Sequence, residues 1–111
     1  MKRSERREFR RVAVDMRVAE EFDGVVEAAR AVDLCELGMR YVKPASAKDV
    51  RGQEVMLEFC LPGEMVPVRV LGWVADEQVL GPDRFTSVNF AFSTDRDSER
   101  ICSHLARQAS A

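Results

Sequence analysis

Apolar and polar residues alternate along several short stretches, and this period of two constrains the fold more than any other feature of the chain. Between Arg11 and Glu20 the apolar residues Val12, Val14, Met16 and Val18 occupy every second position. The same alternation recurs at Val55–Leu61 and Val66–Ala75. Since successive side chains of a β-strand point to opposite faces, the pattern predicts strands that bury one face in a core.

Turn residues divide the chain into six predicted strands. The predicted strands are Arg11–Glu20, Val25–Leu34, Gly38–Val42, Val55–Leu61, Val66–Ala75 and Phe85–Phe92. Turns or loops are expected at Phe22–Gly24, Lys43–Gly52, Pro62-Gly63 and Glu77–Asp83. Within the second strand, Glu27–Ala31 is rich in alanine and is also compatible with a helix, and Gly72 inside the fifth is predicted to mark a bulge or tight bend.

The pattern changes after the last strand, where Asp95–Ala109 contains neither proline nor glycine. Ile101, Leu105 and Gln108 follow helical spacing, and an aspartate at the start suits the first turn of a helix. The apolar face is narrow, so the helix is expected to dock weakly on a barrel end or on a partner. The sequence therefore predicts a mainly β fold, a small antiparallel barrel followed by one helix.

Charge is distributed unevenly along the 111 residues, which suffice for one domain. Residues 1–18 carry seven basic and three acidic side chains, whereas the remainder carries ten basic and sixteen acidic ones. A basic arm on an acidic body favours an anionic partner of limited size over a broad nucleic-acid surface. A solvated basic terminus without any partner is the simpler alternative.

Several function classes lack the residues that they require. No apolar run approaches the ~20 residues of a membrane span, and no signal-peptide pattern is present. Three cysteines at long spacings predict free thiols in a reducing, cytoplasmic setting. The single histidine, His104, has no partner at metal-ligand spacing, and no phosphate-binding glycine loop is found. We therefore expect a binding module without catalytic activity, metal or cofactor.

The first element able to bind a ligand is the arginine-rich segment before the first strand. Arg7 and Arg11 are four residues apart, with Arg6 and Arg10 interleaved, and Phe9 is expected to anchor the segment to the barrel. The planar guanidinium forms paired hydrogen bonds with a phosphate or with the O6/N7 edge of guanine. This segment therefore favours an anionic ligand. Pairing of Arg7 and Arg11 with Glu5, Glu8 or acidic residues of the body is the alternative interpretation.

The second element is the segment Asp33–Met39, at a turn between two strands. The carboxylate of Asp33 suits the paired N1–H and N2–H donors of guanine. Gly38 permits a positive φ angle or close approach of another backbone. Leu34 and Leu37 are expected to point inward. A plain structural turn is the alternative interpretation.

Together these elements resemble the PilZ domain, a bacterial receptor for the second messenger cyclic di-GMP. The family pattern is R-x-x-x-R in an N-terminal arm, then D/N-x-S-x-x-G between two barrel strands. Arg7 and Arg11 match the first motif, and Asp33 and Gly38 match the second. The likeness continues through Gly52–Gly63, Val70–Val74 and Ser87–Phe92.

The resemblance implies one PilZ-type domain with a flexible basic arm (1–11), a six-stranded antiparallel β-barrel (12–92) and a C-terminal helix (95–109). It implies that Arg7 and Arg11 bind guanine edges and phosphates, while Asp33 contacts a guanine Watson–Crick edge. Arg6 and Arg10 would add positive charge or support a second ligand molecule. The ligand would reshape the arm and thereby regulate a protein partner in motility, biofilm or polysaccharide control.

Two residues depart from the family pattern. Cys35 replaces the family serine, so a weak thiol donor stands where a hydroxyl is usual. Losing one such hydrogen bond costs about 0.5–1.5 kcal/mol, which lowers affinity roughly two- to tenfold. Ser87 stands where many relatives have glycine, and only a local adjustment is expected. Cys35 and Gly38 are expected to shape the turn at the ligand site.

Three other functions are compatible with the same residues. The first is a PilZ-like protein-interaction scaffold with weak or no nucleotide binding. The presence of Cys35 in place of the family serine favours it. The second is a small-barrel nucleic-acid binder, which predicts a steep dependence of affinity on salt. The third is a redox sensor at Cys35. The preferred expectation excludes nucleic acid and membrane insertion, and predicts a monomer or a weak homodimer.

Overall fold

The computed structural model describes residues 11–91 and 95–110, and within them the backbone forms six strands and one helix. The elements are β1 (Val12–Phe22), β2 (Val25–Cys35), β3 (Gly38–Pro44), β4 (Glu54–Phe59), β5 (Val68–Leu80), β6 (Asp83–Ala91) and α1 (Asp95–Ser110). Adjacent strands are antiparallel and close a barrel in the order β1-β2-β3-β6-β5-β4. The expected fold class is confirmed.

Inward-facing side chains from all six strands fill the barrel. The buried core draws on each strand in turn, including Val18, Leu34, Tyr41, Leu57, Val70 and Val88. The rings of Phe59 and Phe90 stack with centroids 6.2 Å apart. Burial of one face of each strand explains the period of two in the sequence. The alanine-rich segment Glu27–Ala31 belongs to a strand because its backbone pairs with both neighbouring strands.

Helix α1 contributes the fully buried Ile101 to the core, with Leu105 packed beside it. Polar contacts reinforce this narrow apolar face. Arg100 donates hydrogen bonds to the carbonyl oxygen of Pro67 at 3.1 Å and to the carboxylate of Glu64 at 2.8 Å. The helix is therefore tied to the β4–β5 connection as well as to the core.

The predicted turn at Glu77–Asp83 is wrong in its first half, because β5 continues to Leu80. The register shifts between Val74 and Asp76, where β5 has one extra residue opposite β6. Such a bulge interrupts the alternation, so Val74 and Glu77 both point inward although they are three residues apart. The interrupted pattern makes the second half of β5 look like a polar turn.

Two neighbouring predictions also need correction. The bulge in β5 lies beyond Gly72, whose role is close packing: a Cβ atom there would lie 3.1 Å from Cδ1 of Leu57 and 3.4 Å from Cβ of Val88. The predicted loop Lys43–Gly52 begins too early, because β3 extends to Pro44 and places the Lys43 side chain inside the barrel.

Candidate functional site at the β2–β3 turn

A bulge in β2 brings Asp33 to the outer face of the barrel. The register shifts between Ala31 and Asp33, which pair with the adjacent residues Tyr41 and Arg40 of β3. Ala31 and Leu34 are both fully buried although they are three positions apart, an odd spacing that places residues of a regular strand on opposite faces. Without the extra residue, Asp33 would share the inward face with Ala31. The bulge re-aims the carboxylate outward, a use of bulges that is common beside binding sites.

Arg11, the last arginine of the first motif, contacts this carboxylate. Its guanidinium Nη1 lies 2.7 Å from Oδ1 of Asp33, within a charge-assisted hydrogen bond. Arg11 precedes β1 directly, and Ala13 of β1 pairs with Asp33 of β2. The Asp33 side chain is 15% exposed and that of Arg11 is 52% exposed. The structure therefore brings one residue from each sequence motif together.

Arg40 is a second cation at this carboxylate, and the sequence reasoning missed it. It lies directly opposite Asp33 across the β2–β3 pair, and its Nε is 3.5 Å from Oδ2 of Asp33. A signal for this pair was present. A two-residue turn at Glu36-Leu37 pairs Cys35 with Gly38 and, two positions further along each strand, Asp33 with Arg40.

The turn itself rests against β6. The amide of Phe90 donates a hydrogen bond of 2.7 Å to the carbonyl oxygen of Leu37. A Cβ atom on Gly38 would overlap the carbonyl oxygen of Val88 and lie 3.0 Å from its carbon. Glycine is therefore required at position 38 because another backbone approaches closely. Its φ angle is not positive, so conformational freedom is not the reason. The expectation that Leu37 points inward is wrong, because its side chain is half exposed at the tip of the turn.

Cys35 lies beneath the surface of the turn, only 4% exposed. The carboxylate of Asp33 faces outward, whereas the thiol of Cys35 belongs to the buried layer under it. Arg6, Arg7 and Arg10 lie outside the described residues.

The outer face beside this cluster continues onto β6 and β5. Ser87 pairs with Arg40, and Asn89 pairs with Gly38 on one side and with Trp73 on the other. Trp73 is 51% exposed. An exposed aromatic ring thus lies two strands away from Gly38, on the same side of the barrel. Trp73 is not among the candidate site residues expected from the sequence.

A second polar cluster lies inside the barrel. Lys43 Nζ is 2.8 Å from both carboxylate oxygens of Glu20 and 3.0 Å from Oε2 of Glu77. The hydroxyl of Tyr41 donates to Glu20, and that of Thr86 donates to Glu77 at 2.7 Å. Burial, together with the charge of Glu20, raises the pKa of Tyr41 far above its usual range.

Arg84 joins this cluster from β6. It reaches Glu77 Oε1 at 3.2 Å and the carbonyl oxygen of Ala45 at 3.0 Å. The amide of Val50 also donates to Glu77 Oε1, at 3.1 Å. Two carboxylates therefore face two cations in the interior, and each carboxylate accepts several hydrogen bonds. Mutual pairing of this kind suits a structural role, because buried charges persist only when they are paired.

The side chains of α1 with potential catalytic chemistry are shifted toward their neutral forms. Burial lowers the pKa of His104, and the nearby charge of Arg107 lowers it further. Burial raises the pKa of the Cys102 thiol, and the carboxylate of Glu36 adds to this shift. A neutral imidazole and a protonated thiol are what docking against the barrel favours.

Residues 11–91 and 95–110 include no helix that combines the length and the apolar character required to cross a bilayer. No group of three or more histidine, cysteine, aspartate or glutamate side chains in the same ranges is arranged to hold a metal ion.

Comparison with known proteins supports the fold. No family model matches the sequence, and no curated protein matches it. Among solved structures, the Bacillus subtilis inhibitor of motility (MotI/DgrA) superimposes with a TM-score of 0.77 over 92% of this chain, at 13% sequence identity. The chain corresponds to about half of that protein, 51% of its length. The similarity supports a PilZ-like fold.

Proposed function

We propose that this PilZ-like domain is a cyclic di-GMP receptor without catalytic activity. In this proposal, the nucleotide docks on the outer face of β2 and β3, and its binding changes the conformation of the residues before β1. That change alters the surface offered to a protein partner. The observation that carries the proposal is the contact of Arg11 with Asp33, which unites the two sequence motifs at one place.

The charges at this place suit the proposed ligand. Arg11 and Arg40 face the single carboxylate of Asp33, which leaves one excess positive charge among these three residues. Cyclic di-GMP carries two phosphates, and guanidinium groups bind phosphates through paired hydrogen bonds. Arg6, Arg7 and Arg10 would add three further positive charges from the N-terminal segment.

Ligand binding requires Asp33 and Arg11 to exchange partners. The carboxylate of Asp33 would accept the N1–H and N2–H groups of guanine, and Arg11 would move to a phosphate or to the guanine O6/N7 edge. Both residues lose one charge-assisted contact and gain another. The exchange therefore depends on the ligand offering both a donor pair and an acceptor group.

The neighbouring groups support a nucleotide at this surface. The exposed indole of Trp73 lies on the same side of the barrel, and a base stacked on an aromatic ring gains about 1–3 kcal/mol. The three cysteines are free thiols, in accord with the cytoplasmic setting in which the proposed receptor would act. The structural neighbour is itself an inhibitor of motility, which supports a regulatory role in motility for this chain.

Isothermal titration calorimetry with cyclic di-GMP tests the proposal. We expect Arg11→Ala and Asp33→Ala each to weaken binding at least about tenfold, the effect of one hydrogen bond to a charged group. Glu58→Ala is the matched control, because Glu58 forms an exposed cross-strand pair with Arg69 at 3.0 Å on β4 and β5. Equal Kd values for the wild type and both site variants would falsify the proposal.

A protein-interaction scaffold with weak or no nucleotide binding is the second candidate. Two observations favour it: Cys35 is buried where the family pattern has serine, and both oxygens of Asp33 are already in contact with arginines. This candidate predicts weak or no binding heat when the wild-type chain is titrated with cyclic di-GMP.

A further inference from the structure

We propose that Arg40 is a positioning residue, which holds the Asp33 carboxylate for guanine recognition when Arg11 turns to the ligand. This inference rests on the proposed cyclic di-GMP function and adds a specificity-determining residue to it. The juxtaposition that carries it is the placement of two guanidinium groups on the two different oxygens of one carboxylate.

The two arginines are held differently by the fold. Arg11 lies before the first residue of β1, outside the strand ladder. Arg40 lies in the middle of β3, where it pairs with Asp33 of β2 on one side and with Ser87 of β6 on the other. The backbone of Arg40 is therefore fixed from both sides. Of the two cations, Arg40 is the one whose position survives a rearrangement before β1.

Asp33 needs a remaining cation when Arg11 departs. Its side chain is largely shielded from water, at 15% exposure, so an ionised carboxylate there gains less from solvent than one on an open surface. The contact from Arg40 Nε to Oδ2, at 3.5 Å, compensates part of that loss and restrains the plane of the carboxylate. Restraint of a recognition group lowers the cost of binding, since less side-chain freedom is lost.

Arg40 can keep this contact while a base binds. An ionised carboxylate offers about four acceptor positions on its two oxygens. The N1–H and N2–H groups of guanine occupy two of these positions, and the contact with Arg40 occupies a third. Removing Arg40 therefore weakens the contacts that read the base, whereas the phosphate contacts from other arginines stay intact.

Two nucleotides distinguish this role from direct phosphate contact. Cyclic di-IMP has the same phosphates and N1–H groups as cyclic di-GMP but lacks the N2 amino groups. The ratio of the two Kd values thus reports the contact between the N2–H donor and Asp33. For the wild type we expect cyclic di-GMP to bind about tenfold more tightly than cyclic di-IMP, the value of one hydrogen bond to a charged group.

The test measures both Kd values by calorimetry for the wild type, Arg40→Ala and Arg40→Lys. We expect Arg40→Ala to weaken cyclic di-GMP binding about tenfold and to reduce the preference over cyclic di-IMP to about threefold or less. Arg40→Lys retains a cation beside Asp33 and should recover most of that preference. Arg69→Ala is the control, because it removes a comparable exposed cross-strand pair with Glu58 and should change neither value.

Three results would overturn the inference, and each has a separate meaning. Wild-type affinity in Arg40→Ala, with circular dichroism and thermal melting confirming the fold, shows that Arg40 has no role. An equal loss for both nucleotides, with the preference unchanged, assigns Arg40 to the phosphates instead of to Asp33. Absence of cyclic di-GMP binding by the wild type overturns the proposed function, and the role of Arg40 with it.

Discussion

The backbone of Gly38 lies against the carbonyl group of Val88 on the neighbouring strand, so closely that the first residue of β3 has no space for a side chain. A Cβ atom there would lie 3.0 Å from the Val88 carbonyl carbon and 3.2 Å from Cα of Asn89. Both neighbours are backbone atoms of β6 and cannot rotate away. The β2–β3 turn, which follows Asp33 closely in the sequence, is therefore seated directly on β6.

Replacing Gly38 by alanine should destabilise the barrel strongly. Inserting one methyl group into a packed region costs about 1–3 kcal/mol, and we expect the upper end of this range because backbone must move. Urea unfolding followed by circular dichroism measures the loss. Gly72→Ala is the comparison: its methyl group would meet the mobile end of Leu57 at 3.1 Å, so its loss should be clearly smaller. Equal losses for the two variants would contradict the backbone argument.

Lys43→Met should be among the most damaging substitutions in the chain. It leaves the buried carboxylates of Glu20 and Glu77 without the cation between them. Removing one partner of a buried ion pair costs about 3–5 kcal/mol, a large share of the stability of a small domain. Chemical unfolding is the measurement.

The control for this prediction is Lys48→Met. Lys48 is exposed, and its ammonium lies 5.2 Å from the centre of the Phe22 ring. Loss of an exposed cation–π contact costs about 0.5–1 kcal/mol. If the unfolding midpoints of the two variants coincide, the buried cluster does not stabilise the barrel in the way described.

His104 should make stability depend on pH in the weakly acidic range. Burial and Arg107 lower the pKa of its imidazole below 6.5, so the unfolded chain binds the proton more readily than the folded chain. The neutral His104 therefore contributes its full share to the free energy of unfolding above about pH 6.5. That share falls as the pH drops toward the lowered pKa. Urea midpoints measured between pH 5 and 8 test this, and in His104→Gln the decline in that range should be much shallower. An unchanged decline would assign it to other groups.

Arg100→Ala should loosen α1 and the β4–β5 connection together. The side chain donates hydrogen bonds to the carbonyl oxygens of Val66 and Pro67 and pairs with Glu64. We expect a loss of about 1–3 kcal/mol. Hydrogen exchange should rise in both segments. Arg96→Ala, on an exposed position of the same helix, should leave exchange unchanged.

The same arginine holds the pKa of Glu64 below its usual range through its hydrogen bond, with Arg107 adding to the effect. A lowered carboxyl pKa means that the contact stabilises the fold above about pH 4.5 and is lost as the pH falls through the lowered value. The difference in stability between wild type and Arg100→Ala should therefore shrink in acid.

Local patterns were enough to predict the strands in which apolar and polar residues alternate without interruption. Alternation along β1 and β4, turn residues at Asp23-Gly24 and the uninterrupted helix from Asp95 are properties of neighbouring residues. They follow from backbone geometry that acts within a few positions. The candidate site was predicted in part for the same reason: Asp33 and Gly38 flank a short turn, and their spacing is visible in one segment.

Residue order by itself thus determined a mainly β chain with a C-terminal helix and the two motifs that carry the proposed site. Only the tertiary structure decided whether several side chains face the interior or the exterior of the barrel. One extra residue in β2 turns Asp33 outward, and one extra residue in β5 turns Glu77 inward. It also placed Arg40 beside Asp33 and Lys43 between two carboxylates. The physical reason is that strand register is set by pairing with distant strands, and a shift of one residue reverses every side chain that follows.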